Sequence, residues 1–168
     1  MLTKEKIEEL LKIINSKMAT KKAYGEILLC GGAVMCLVFQ SRVSTKDIDG
    51  IFIPTKEIRD IISEMSQEYN LPENWLNDAV KGFFYPPIPQ IPIFQFSHLK
   101  VYRPTPEYLL AMKCISARYD SMDKDDVITL IKYLNVKTPH EVFTIIEEYY
   151  PENKIPLKTQ FFLEELFI

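Results

Sequence analysis

Asp47 and Asp49, separated by one isoleucine, are the side chains of this sequence best suited to chemistry, and the pair Gly31-Gly32 is the feature that complements them. Side chains in a strand alternate faces, so the two carboxylates would share a face with Cα atoms roughly 6.5 to 7 Å apart. Hard oxygen donors at that spacing suit one divalent cation such as Mg²⁺. Glycines at the start of a helix let phosphate oxygens approach backbone N–H groups, and the positive end of the helix dipole favours the negative charge. Phosphate on one side and metal on the other make a nucleoside triphosphate (NTP) site. Each half also has a plain structural reading: Gly-Gly as a tight connection, and Asp-x-Asp as a solvated pair or an Asx turn.

The elements that must position these residues follow from the hydrophobic pattern. Residues 27–30 are a short apolar run ended by the two glycines, which predicts a buried strand. Residues 33–39 are apolar throughout and predict a buried helix. After a polar turn, a second strand is expected over 47–53, starting with the two carboxylates and placing Ile48, Ile51 and Ile53 in the core.

The order Gly31-Gly32, helix, then Arg42-x-Ser44/Thr45-x-Asp47-Ile48-Asp49 resembles the nucleotidyltransferase fold of the DNA-polymerase-β superfamily. Its approach to the Asp-x-Asp is similar to the bacterial branch around the AbiEii-type and minimal nucleotidyltransferase toxins. That branch carries a Leu-Leu-Ala-x-Lys helix, then an Arg and a Lys/Asp-x-x-Asp turn. Leu109-Leu110-Ala111-Met112-Lys113, Arg118 and Asp123-x-x-Asp126 resemble it, with a short insertion after Arg118 that includes Asp120.

The resemblance covers residues 26–134. It implies an α/β (α+β) fold: a nucleotidyltransferase-like mixed sheet flanked by helices, with a C-terminal helical region. The expected organisation is a core over 1–103 and a helical region over 104–168, packed as one compact unit. The implied activity is Mg²⁺-dependent transfer of a nucleoside monophosphate from an NTP to a hydroxyl on RNA, such as tRNA, or on protein, in a toxin–antitoxin or phage-defence setting. Asp47 and Asp49 would hold the metal and Gly31 and Gly32 would cradle phosphate. Arg42, Lys46 and Lys113 would neutralise charge on the transferred phosphoryl and pyrophosphate, with Arg118 beside the nucleotide. Asp123 or Asp126 would orient Lys113 or the acceptor hydroxyl. Read without the resemblance, Asp123 is the N-cap of the next helix and Asp126 its capping-box partner. The third carboxylate of many relatives has no counterpart here beyond Gln95 and His98, so a full two-metal arrangement is not expected. A second expectation therefore stands beside the first: a catalytically inactive nucleotidyltransferase-like fold acting as a nucleotide- or protein-binding module.

The remaining sequence sets bounds. With 168 residues, 47% apolar and 12% aromatic, the chain can fill a core, and its net charge of −3 excludes a global basic field for gripping nucleic acid. Cys30, Cys36 and Cys114 lie in apolar runs and read as core thiols of a reducing cytoplasm. No signal core and no apolar run of roughly 18 residues is present, so a cytoplasmic protein without membrane contact is expected.

Helices are expected over 3–18, through Ile7, Leu10, Leu11 and Ile14, and over 56–69 with Thr55 as N-cap. The lysine excess of the first reads as a solvated face, or as a local patch beside a polyanion. Trp75 reads as a core anchor or a base-stacking residue, and the resemblance points Asn77 toward the cleft. Pro86, Pro87, Pro89 and Pro92 predict a stiff connector without regular structure, followed by short strands over 93–96 and 100–103. Thr105-Pro106-Glu107 and Thr138-Pro139-His140-Glu141 open two helices. A last helix over 157–168 presents Phe161, Phe162, Leu166 and Phe167 for its own domain, for a homodimer, or for a cognate antitoxin.

Overall fold

The computed structural model describes residues 1–118 and 121–168, so Asp120 lies outside the described residues. Strand β1 (Leu2–Thr3) leads into helix α1 (Lys4–Thr20), whose N-cap is Thr3, its hydroxyl accepting the Lys6 N–H at 3.3 Å. The expected apolar face is buried, with Met18 added to it. The lysines of α1 do not form an unopposed stripe: Lys17 and Lys21 pair with Glu64 and Glu68, and Lys6 pairs with Glu9.

Strand β2 (Gly25–Cys30) ends at the glycine pair, which opens helix α2 (Gly31–Val34). The helix widens into a π-helical segment (Met35–Phe39), closed by Gln40 in the left-handed region at φ 51°. Strand β3 (Ser44–Thr45) pairs antiparallel with β1, and β4 (Ile48–Ile53) pairs antiparallel with β2. Helix α3 (Thr55–Glu68) follows. Thr55 is its first residue rather than its cap, because the hydroxyl donates back to Phe52 O at 3.2 Å.

Strands β5 (Leu76–Asn77), β6 (Gln90–Gln95) and β7 (Leu99–Pro104) complete a mixed five-stranded sheet of order β5-β4-β2-β7-β6. Strand β7 runs parallel to β2, with Gly25 beside Leu99 and Leu28 beside Tyr102. Pro92, assigned by sequence to an irregular connector, sits inside β6. That strand is the sheet edge, where a residue without an N–H costs no ladder bond on the open side.

Alternation on β4 corrects the expected core. Ile48 and Phe52 are buried, whereas Ile51 and Ile53 share the face of Asp49 and are half-buried and exposed. A period of two puts residues 49, 51 and 53 together, so Ile48 and Ile51 cannot both enter one core. Trp75 is the core anchor: it is fully buried and its indole N–H donates to Ile62 O at 3.2 Å. Trp75→Ala is therefore expected to cost about 3–5 kcal/mol, read as a lower urea midpoint at unchanged slope.

The chain divides into two compact units, Met1–Gly82 with Gln90–Arg103, and Phe83–Pro89 with Pro104–Ile168. The second contains helices α4 (Pro106–Ser116), α5 (Ser121–Tyr133), α6 (Pro139–Tyr149) and α7 (Leu157–Leu166). Thr105 and Thr138 cap α4 and α6 through the Tyr108 and Glu141 N–H groups. The proline-rich segment is tied to this unit by tyrosines: the Tyr108 hydroxyl bridges Tyr85 N and O, and the Tyr150 hydroxyl donates to Phe83 O at 2.6 Å. In α7, Phe162 and Leu163 are buried while Phe161 is exposed.

All three cysteines are buried and unbridged, and burial pushes the Cys114 thiol far up. Native protein should leave these thiols unreactive toward a disulfide reagent over minutes, and denatured protein should titrate all three. Among the described residues, no helix is long and apolar enough to cross a membrane.

Candidate functional site

The sheet register brings the two sequence motifs together. Cys30, the last residue of β2, pairs with Asp49, so the chain turns into α2 directly beside that carboxylate. Gly31 adopts φ 62°, a region where a side chain is strained, and a Cβ placed on it would lie 2.8 Å from Asp49 Oδ2. A Cβ on Gly32 would collide with Thr45 Oγ1 and lie 3.1 Å from Arg42 Nη1. Both glycines are required because the Asp49 carboxylate, the Thr45 hydroxyl and the Arg42 guanidinium close directly over the backbone.

Thr45 is a member of this group that motif reading did not single out as a site residue. It is buried, and its strand β3 is fixed by pairing with the chain's second and third residues, Leu2 with Thr45 and Thr3 with Ser44. A two-residue ribbon between segments some forty positions apart leaves no periodic signal. The one available clue was a hydroxyl pair just before the Asp-x-Asp.

Asp47 stands just outside β4, in the turn that precedes it, rather than on the strand as expected. It is half-buried, and neighbouring Lys46 is exposed. The two carboxylates thus come from a turn and a strand. A turn carboxylate can approach a shared cation from a different direction than strict alternation allows. As a donor set they are hard oxygens that suit Mg²⁺, which commonly takes one or two protein carboxylates and completes its shell with water and phosphate. Among the described residues, no cluster of three His, Cys, Asp or Glu side chains could hold a metal. The residues present therefore fit a cation shared with a nucleotide, not an all-protein cage.

Among the described residues, the strand neighbours of Asp49 supply no third carboxylate. The face of β7 that matches Asp49 carries Tyr102, since Leu28 pairs with both Tyr102 and Ile51. His98 lies at the opposite end of the sheet, where its carbonyl accepts the Gly25 N–H at 2.9 Å. Gly25 and Cys30 bound β2, so His98 and Asp49 are separated by about 17 Å of strand. Gln95 is exposed at the end of β6. Neither supplies a third ligand. Asn77 pairs in register with Asp49, but its carboxamide is used locally, donating to Asn74 O and accepting the Ala79 N–H.

In the second unit the motif residues form a tight cluster. Lys113 Nζ on α4 donates to Asp126 Oδ2 at 2.6 Å and to Asp123 Oδ1 at 3.2 Å, both on α5. Lys113 is buried at 6% exposure and Asp126 at 1%. Asp123 Oδ2 also accepts the Arg118 N–H at 3.2 Å. The helix starts at Ser121, so Asp123 lies within its first turn and is not the N-cap, and Asp126 serves Lys113 rather than a capping box. The Arg118 side chain is exposed. Chemically, an ammonium has three N–H donors, and the carboxylates take two of them.

Residues 5–154 match the family described as "Nucleotidyltransferase of unknown function (DUF6036)". The crystal structure of an antigenic nucleotidyltransferase-like protein from Paracoccidioides brasiliensis is similar at a TM-score of 0.48 and 13% identity, over 88% of this chain and 88% of that one. None of the curated proteins matches the chain.

Proposed function

The chain belongs to that family of nucleotidyltransferases, and we propose that it transfers a nucleoside monophosphate from an NTP to a hydroxyl on RNA or protein. The observation that carries this reading is the closure of Asp49, Thr45 and Arg42 over the Gly31-Gly32 backbone. It sets a carboxylate, a hydroxyl and a guanidinium against the glycine backbone where a strand ends. In this reading Asp47 and Asp49 hold Mg²⁺ on the triphosphate, and the glycine N–H groups hold phosphate oxygens. The bound cation supplies charge neutralisation on the phosphates and an electrophilic α-phosphorus. The acceptor oxygen bonds to the α-phosphorus, the bridge to the β-phosphate breaks, pyrophosphate leaves and the hydroxyl proton goes to solvent. Arg42 and Lys46 stabilise the charge that develops, as does Lys113 through its third donor, held in one orientation by Asp126 and Asp123. The nucleotide contact assigned to Arg118, an exposed residue just beyond α4, is part of the same proposal.

As a further part of the proposal, the Leu109-Leu110-Ala111-Met112-Lys113, Arg118 and Asp123-x-x-Asp126 pattern places the chain near the AbiEii-type branch, with a toxin–antitoxin or phage-defence role. The exposed ring of Phe161 on α7 is the surface we assign to a cognate antitoxin or a second copy of the chain.

The test is incubation of the protein with each labelled NTP, Mg²⁺, and total RNA or protein, beside an Asp47→Ala/Asp49→Ala variant. Label transferred by the wild type and not by the variant names the base and the acceptor class. The second reading, an inactive binding module, is favoured by the absence of a third carboxylate among the described residues. It predicts no transfer with any NTP, and loss of self-association or partner capture on deletion of residues 157–168.

A further inference from the structure

A cleft of about 570 Å³ opens at the end of the sheet opposite Asp49, within the first unit. Its volume falls in the range of small-molecule sites, about 300–1,000 Å³. The floor is one cross-strand row: Glu26 pairs with Ile53 on one side and with Lys100 on the other, all three exposed on the same face. One wall is the ring pair of Tyr24 and His98, stacked with centroids 4.8 Å apart and planes 12° from parallel. Phe96 and Pro54 complete the lining.

This wall is pre-built. The His98 N–H donates to Asn15 Oδ1 at 2.8 Å, its carbonyl accepts the Gly25 N–H, and its ring Nδ1 lies 2.9 Å from Ser97 Oγ. The turn between β6 and β7 is thereby fastened to α1 and to the start of β2. Yet Tyr24 is 72% exposed and Ile53 56%. The cleft thus presents an aromatic and an aliphatic side chain to solvent beside the charged row.

The charges narrow the occupant. Neighbouring strands lie about 4.8 Å apart, so Glu26 and Lys100 stand side by side with opposite charge, an arrangement that normally closes into an ion pair. Among the described residues neither forms one. A carboxylate and an ammonium held at strand spacing, beside a flat ring platform, are complementary to a molecule with adjacent positive and negative groups and a planar apolar side chain. A chain terminus of a peptide offers only one of the two charges. We propose that this cleft binds a free aromatic α-amino acid, its carboxylate toward Lys100, its ammonium toward Glu26 and its ring against Tyr24, Phe96 and Ile53. The site is independent of the nucleotide reading, since it lies at the other end of β2.

Titration calorimetry with three probes separates the contributions: L-phenylalanine, 3-phenylpropionate, which lacks the ammonium, and 2-phenylethylamine, which lacks the carboxylate. L-phenylalanine should saturate, and each analogue should bind about tenfold more weakly. Lys100→Gln should erase the preference for L-phenylalanine over the amine, and Glu26→Gln its preference over the acid. Tyr24→Ala should weaken all three, while Asp49→Asn should leave the affinities unchanged. Equal affinity for the three probes, saturation by none, or a shift in Asp49→Asn would overturn the proposal.

Discussion

Asp49→Asn is expected to lower nucleotidyl transfer on the order of 10³-fold, about 4 kcal/mol of transition-state stabilisation, while the protein remains folded. The substitution keeps the size and shape of the side chain that lies against Gly31, so the packing over the glycine pair is preserved. It removes one negative charge from the face where a triphosphate-bound cation would sit. Asp49 is half-buried on β4, and the strand's anchoring residues are Ile48 and Phe52 on the other face, so the thermal midpoint should move by no more than a few degrees. The informative comparison is Asp47→Asn. Asp47 stands in the turn before the strand, and its loss should reduce NTP affinity in the presence of Mg²⁺ with a smaller effect on the maximal rate. Initial rates with labelled NTP, measured across Mg²⁺ concentrations, check both. If Asp49→Asn transfers label at the wild-type rate, the carboxylate does not touch the reaction.

Local chemistry made parts of this site legible in the sequence. The glycine pair and Asp49 could be matched because each ends or begins a short apolar run, and strand, turn and helix are decided within a few residues. The caps at Thr105 and Thr138 were legible for the same reason. What could not be seen depends on pairing between distant segments. The β1–β3 ribbon that fixes Thr45 joins the first residues to the forties. The parallel register of β7 on β2 puts Tyr102 level with Leu28 and Ile51, on the face of Asp49 but two residues along the strand from it, and puts His98 at the far end. Composition puts Ile51 and Ile53 in the core, whereas alternation from Ile48 argues against it. Several aspartates in succession all have cap chemistry, so the sequence does not single out Ser121 as the start of α5. The geometry of Lys113 shows that Asp123 and Asp126 answer to a cation on the previous helix instead.

That cation carries the second large prediction. Lys113→Met leaves Asp126, at 1% exposure, without the ammonium that approaches it at 2.6 Å. A buried carboxylate that loses its counter-charge typically costs about 3–5 kcal/mol, a large share of the roughly 5–15 kcal/mol that holds a domain together. The urea midpoint of the variant should fall accordingly. The pair also permits a test of why the charges are there. Replacing both partners, Lys113→Met with Asp126→Leu, removes the uncompensated charge as well as the ion pair, and stability should return to within about 1–2 kcal/mol of wild type. Asp123 remains, but its carboxylate is more exposed and still accepts the Arg118 N–H, so it tolerates the change. If Lys113 only fastens α4 to α5, the double variant should transfer nucleotide normally once folded. If its third donor acts on phosphate charge, as proposed, the double variant should be folded and slow, by about 10²–10³-fold. A single variant as stable as wild type would show that the ion pair contributes nothing to the fold. A folded, fully active double variant would remove Lys113 from the mechanism while leaving Asp49 in it.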